Sequence, residues 1–121
     1  LLNVAINPVC AITGLMNGEL LLHPELFETG LAAMEEASRI ASAEGVDMSD
    51  LDLATTLEDL CRATSDNRVS MLQDIMAGRR TEIDAICGEV VKRGEALGIP
   101  TPRNETLHAL VKGIEASSST N

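Results

Sequence analysis

Phe27 is the only Phe, Tyr or Trp in a chain of 121 residues. That weighs against a sheet, because strands favour aromatic and β-branched side chains packed across a pleated surface. The core has to be aliphatic, built from Leu, Ile, Val, Met and many Ala, a set that suits closely packed helices. Hydrophobic residues make up 45% of the chain and charged residues 23%, an ordinary balance for one globular domain. A chain of this size buries roughly two thirds of its unfolded surface, enough for a real core.

The apolar spacing agrees with helices. Val69, Leu72, Ile75 and Met76 recur at helical intervals. Gly78 stands where a left-handed residue would close that helix. Thr81 offers a hydroxyl N-cap for the next helix, with Asp84 three residues on as an imperfect capping box. Glu82 falls in the first turn of that helix, where the dipole favours a negative charge. Ser70 and Glu82 therefore sit on successive helices, able to meet across a cleft.

The rest of the chain reads the same way. Residues 1–13 are apolar apart from Asn3, Asn7 and Thr13, and the two Asn share a helix face. Pro8 should kink this helix. The two amides either satisfy that kink or form a polar stripe facing a ligand; the residues alone leave both readings open. Residues 19–22 read as a short helix. Residues 24–44 read as a long one, with Pro24 in its first turn, Leu26, Phe27, Leu31, Met34, Ala37, Ile40 and Ala41 inward, and Gly45 at its close. Asp47, Ser49 and Asp50 offer caps for a helix whose stripe is Ala54, Leu57, Leu60 and Cys61. Ser65, Asp66 and Asn67 offer caps for the helix at Ser70. The helix after Thr81 carries Ile83, Ile86, Val90, Val91 and Leu97 and ends at Gly98; Gly88 and Gly94 inside it imply close approach of a neighbouring backbone or of a ligand. Pro100 and Pro102 read as an extended linker, after which Asn104 caps a last helix with Leu107, Leu110, Val111 and Ile114 inward. Residues 116–121 read as a disordered polar tail. The expected fold is all-α, a single domain of about six or seven helices.

The formal net charge is −10, which disfavours nucleic acid and anionic membrane surfaces as partners. No run of apolar residues is long enough to span a bilayer. Cys10, Cys61 and Cys87 are odd in number and lack Cys-x-x-Cys spacing, so they read as buried thiols of a reducing cytoplasm. The acidic run Asp47, Asp50, Asp52, Glu58 and Asp59 reads as a solvated face, and no metal site is expected. His23 and His108 read as isolated, Arg79 and Arg80 as solvated, Lys92 and Lys112 as solvent-facing cations, and Asp84 as serving the Thr81 cap. Ser70 lacks a nucleophile elbow. The missing initiator Met and the helical start point to a fragment.

Three ordered motifs carry a resemblance. They are Asn3-Val4-Ala5-Ile6-Asn7-Pro8 followed by Asn17-Gly18-Glu19-Leu20; Ser70-Met71-Leu72-Gln73-Asp74 followed by Thr81-Glu82-Ile83-Asp84; and Gly98-Ile99-Pro100-Thr101-Pro102-Arg103-Asn104 running into Leu107-His108-Ala109-Leu110-Val111-Lys112. Together they resemble the C-terminal domain of 2-dehydropantoate 2-reductase (ketopantoate reductase), over nearly the whole chain. The resemblance implies the helical fold of the 6-phosphogluconate dehydrogenase C-terminal type. It implies residues 1–115 as the substrate-binding domain, with an N-terminal Rossmann domain that this chain does not contain. It implies Asn3, Asn7 and Ser70, with Asn67 beside them, as substrate-binding residues and Glu82 as a carboxylate that binds substrate and orients a catalytic lysine. That lysine would lie two positions before Leu1. NADPH would be the cofactor, held mainly by the Rossmann domain, and ketopantoate the substrate. Partners implied are a small 2-oxo acid, the protein's own Rossmann domain and, left open, a second copy in a homodimer. Two alternatives stand beside this: a helical interaction module without chemistry, and the same domain of another 2-oxo acid dehydrogenase.

Overall fold

A computed structural model describes residues 1–119, and its most buried segment is helix α1 (Leu2–Thr13), with Val4, Ala5, Ile6, Pro8, Val9, Cys10 and Ala11 inside. The helix runs through Pro8 without a break. Proline has no N–H, so the Val4 carbonyl loses its usual donor there. A 3-10 helix follows (Asn17–Leu22), then α2 (Pro24–Ala43), α3 (Leu53–Ala63), α4 (Ser70–Met76), α5 (Ile83–Leu97) and α6 (Pro102–Ser119). There is no strand among the described residues. None of the described helices is long and apolar enough to cross a membrane.

The core is aliphatic. Leu20, Met34, Leu57, Ile83 and Val111, from five different helices, are among its largest fully buried side chains. Small residues let the backbones approach. A β-carbon on Gly30 of α2 would stand 2.5 Å from the Ala5 carbonyl oxygen of α1, so only glycine permits this crossing. Gly94 is as confined: a β-carbon there would meet the Ile99 carbonyl and the Thr101 methyl, each at 2.7 Å. Gly88 faces the His108 ring.

One polar tie crosses this core. Glu36 of α2 is 2% exposed, and its carboxylate receives the first turn of α6. It accepts from the Arg103 N–H at 2.9 Å, the Asn104 N–H at 3.0 Å and the Asn104 side-chain amide at 2.8 Å. The Asn104 amide also donates to the Ala33 carbonyl at 3.0 Å. Asn104 therefore lies inside the first turn rather than capping it. A carboxylate borrowed from another helix takes the N–H groups that a local cap would otherwise serve. Pro102 is the first residue of α6, not part of a linker. Leu110 is 49% exposed rather than inward.

Local caps and helix ends differ from the sequence reading in three further places, at α3, α4 and the end of α6. Asp52 caps α3, accepting from the Thr55 N–H at 3.1 Å. Asp47 instead folds back on Ser49. No side chain caps α4, whose N-cap is the apolar, buried Val69. The preceding loop instead uses its backbone: the Asn67 and Ser65 carbonyls each accept, at 3.0 Å, from the N–H groups of Asn17 and Gly18. Helix α6 continues through Ser119, with no Gly or Pro after Gly113 to stop it, so residues 116–119 are helical rather than a tail. Residues 120 and 121 lie outside the described residues.

All three thiols are free and buried. Burial, reinforced by nearby Cys61 and Glu19, pushes the Cys10 thiol up to about 12 from its ordinary 9.0. Burial, with Glu36 nearby, does the same to Cys87, again to about 12. Cys61 is raised for the same reason. The thiolate is the nucleophile, so the native chain is expected to react negligibly with Ellman's reagent until denaturant is added. Rapid labelling of any thiol in the native chain would contradict this burial. The raised pKa values favour the protonated fold, so their stabilising contribution is complete below pH 9.0 and is lost as pH rises toward about 12.

Candidate functional site

Three helices meet where the second motif folds. Helix α1 brings Asn7, α4 begins at Ser70, and Glu82 is the N-cap of α5. These three side chains line one cleft, together with Met71, Asp74 and Ile86. The space is small, about 10 Å³, roughly one water. Glu82 thus sits one position before the helix, not in its first turn as the sequence suggested.

The cleft is fixed by buried neighbours of each polar group. Met71 and Leu72 anchor the start of α4, at 2% and 6% exposure, and Ile83 anchors Glu82 at 1%. The turn between the two helices is a Schellman closure. The Arg79 N–H reaches the Asp74 carbonyl at 2.8 Å, the Gly78 N–H reaches the Ile75 carbonyl at 3.1 Å, and Gly78 takes a φ of 72°.

Asn3 lies on the same face of α1 but lines a neighbouring groove of about 280 Å³ with Leu1, Val4, Ile40, Ala85 and Val90. Ile86 borders both spaces, so the Asn3 groove and the Asn7 cleft adjoin across one side chain. Asn67 lines neither. It is exposed, and its carbonyl is spent on the Asn17 N–H.

The side chains of Asn3, Asn7, Ser70 and Glu82 have no hydrogen-bond or ion-pair partner among the described residues. The amides therefore do not satisfy the carbonyl freed at Pro8. Asp74 was missed by the sequence reading. Its signal was available, since it lies four residues after Ser70 and so on the same face. Arg79 pairs with it at 3.1 Å and offsets its charge.

Asp84 does not serve Thr81. It accepts from His108 at 2.7 Å and from Lys112 at 3.2 Å, and these bonds, His108 first, hold its carboxyl below the ordinary carboxylate range. His108 is consequently paired rather than isolated. The group that Thr81 does meet is Glu115 of α6. Among the described residues no cluster of His, Cys, Asp and Glu is placed to hold a metal ion.

The comparisons with known proteins match this chain over nearly its whole length. Residues 1–115 fit the family model described as "Ketopantoate reductase PanE/ApbA C terminal". The 2-dehydropantoate 2-reductase of Archaeoglobus fulgidus is 40% identical over 114 residues, 94% of this chain and 38% of that protein. The one from Shigella flexneri is also 40% identical over 114 residues, 94% of this chain and 37% of its own length. A crystal structure of a PanE/ApbA family ketopantoate reductase from Ralstonia eutropha superposes with a TM-score of 0.89 at 39% identity, covering 98% of this chain and 39% of the other. A D-mandelate dehydrogenase with NADH and anilino(oxo)acetate superposes with a TM-score of 0.90 at 26% identity, over 98% of this chain and 66% of that one. The chain thus spans about two fifths of the length of the curated relatives it matches. With the motifs, the all-helical fold and a family match over residues 1–115 in agreement, this chain belongs to the ketopantoate reductase C-terminal domain family.

Proposed function

We propose that this domain forms the substrate-binding part of an NADPH-dependent 2-dehydropantoate 2-reductase, which reduces ketopantoate to pantoate for pantothenate synthesis. The observation that carries the reading is the unpartnered polar set from three helices, Asn7, Ser70 and Glu82, on one cleft, with Asn3 one turn away. Asn7 is half-buried and Asn3, Ser70 and Glu82 are exposed, so no partner within the protein has to be displaced before these groups can meet a ligand. A helical interaction module would have no use for this convergence.

In this reading the Asn7 amide and the Ser70 hydroxyl donate to oxygens of the 2-oxo acid, and Asn3 meets it from the adjoining groove. Glu82 accepts from the substrate's hydroxyl and orients a lysine carried upstream on the α1 face of Asn3 and Asn7. That lysine is the general acid toward the 2-oxo oxygen. NADPH, bound by a preceding Rossmann domain, supplies the hydride. Asn67 contributes at most through the backbone of its loop. The superposition on D-mandelate dehydrogenase favours a second reading, a different 2-oxo acid as substrate, which an assay across branched and aromatic 2-oxo acids would separate.

The test is Glu82→Gln in the complete reductase. Losing a charge-assisted contact worth about 1.5–3 kcal/mol should lower kcat/KM for ketopantoate by an order of magnitude or more. The melting temperature should change little, since an exposed helix-terminal charge contributes only about 0.3–1 kcal/mol. Normal kinetics with a lowered melting temperature would show that Glu82 serves only its helix.

A further inference from the structure

We propose that Glu115 is a positioning residue for Glu82, acting through Thr81. The proposal rests on the reading of Glu82 as a substrate-binding carboxylate and extends it to α6, an element that contributes no side chain to the cleft.

Glu82 carries no bond that would hold its own side chain, so its placement depends on its backbone. That backbone is held from both sides. Upstream, the Schellman closure at Gly78 ties the turn to α4, the helix that carries Ser70. From the side of α6, one oxygen of Glu115, Oε2, accepts from the Thr81 N–H at 3.0 Å and from the Thr81 hydroxyl. The same hydroxyl oxygen accepts from the Ile83 N–H at 3.2 Å. Thr81 and Ile83, the two neighbours of Glu82, are thereby linked through one oxygen atom. Ile83 is also locked into the core.

Glu115 suits this role. Its side chain is only 13% exposed, while its other oxygen lies 3.7 Å from the Lys112 ammonium. Lys112 also bonds Asp84, and Asp84 bonds His108, so the anchor is braced along the α5–α6 seam. The spacing between Ser70 and Glu82 is therefore set by a short turn with one end fixed by α4 and the other by α6. A displacement of this turn by an ångström would move Glu82 relative to Asn7 and Ser70. A misplacement of about 1 Å caused by a change remote from the chemistry can cost about 100-fold in rate.

The experiment uses the complete reductase and compares Thr81→Val, Thr81→Ser and Glu115→Ala, alone and combined with Glu82→Gln. Thr81→Val and Glu115→Ala should each lower kcat/KM for ketopantoate about tenfold, and Thr81→Ser, which keeps the hydroxyl, should stay within about twofold of the parent. In the Glu82→Gln background, Thr81→Val should cause no further loss, because the residue it positions is already disabled. If Thr81→Val lowers only the melting temperature, or if its kinetic loss adds in full to that of Glu82→Gln, the positioning role is overturned. If Thr81→Val does not fold, Glu115→Ala in the same two backgrounds decides the matter. A Glu82→Gln enzyme with normal kinetics would instead overturn the underlying assignment of Glu82.

Discussion

Glu36→Ala is expected to lower the melting temperature of this chain by about 10 °C or more. The wild-type carboxylate accepts three hydrogen bonds from the first turn of α6, two from backbone N–H groups and one from the Asn104 amide. Removing it leaves those donors without an acceptor in a site where Asn104 is fully buried. Each orphaned buried donor costs about 1–3 kcal/mol, so a loss of about 3 kcal/mol or more follows after relaxation. Glu36→Gln keeps the shape, loses the charge and turns an NH₂ group toward a donor; it should fall between the wild type and Ala. Thermal unfolding followed by far-ultraviolet circular dichroism checks both. A shift of only a degree or two for Glu36→Ala would mean that water replaces the carboxylate and that α6 is held by its apolar face alone.

The second expected result is a complete loss. The 121-residue chain by itself, given NADPH and ketopantoate, should show no turnover and negligible nucleotide binding. Its sequence contains no Gly-x-Gly-x-x-Gly phosphate-binding turn. It also offers no lysine to the cleft. Lys112 is engaged by Asp84 at 3.2 Å and by Glu115 at 3.7 Å, and neither it nor Lys92 lines the space between Asn7, Ser70 and Glu82. Holding hydride donor, acceptor and general acid together accounts for about 7–11 kcal/mol of a barrier, and this chain offers a place for only the acceptor. An NADPH absorbance assay, with a complete reductase as positive control, is the measurement. Turnover by this chain would place the general acid among its own residues and overturn the assignment of an upstream lysine.

What was legible in the sequence was local. Helix α2 spans Pro24–Ala43, close to the 24–44 expected from its apolar stripe, and Gly45, Gly78 and Gly98 all take the positive φ that closes a helix. Apolar periodicity and helix-terminating glycines act within a few residues, so they survive without knowledge of the fold. The pairing of Ser70 with Glu82 was legible for the same reason, since the turn joining their helices is short and closed by Gly78.

What the sequence could not show was which polar group serves which. Asp84 was matched to Thr81 three residues away, yet its partners are His108 and Lys112 on α6, 24 and 28 residues on. Thr81 found Glu115 at a separation of 34, and Asn104 found Glu36 at 68. Asn3 and Asn7 share a face of α1, but the position of Ile86 on α5 decides that they open into adjoining spaces. The sequence by itself determined that the chain is helical and where most of its helices lie, because burial is non-directional and follows the local period, while the two ends of α6 and the exposure of Leu110 depended on packing. Only the tertiary structure decided the hydrogen-bond partners, because a buried donor takes whichever acceptor the packing of distant helices brings within reach.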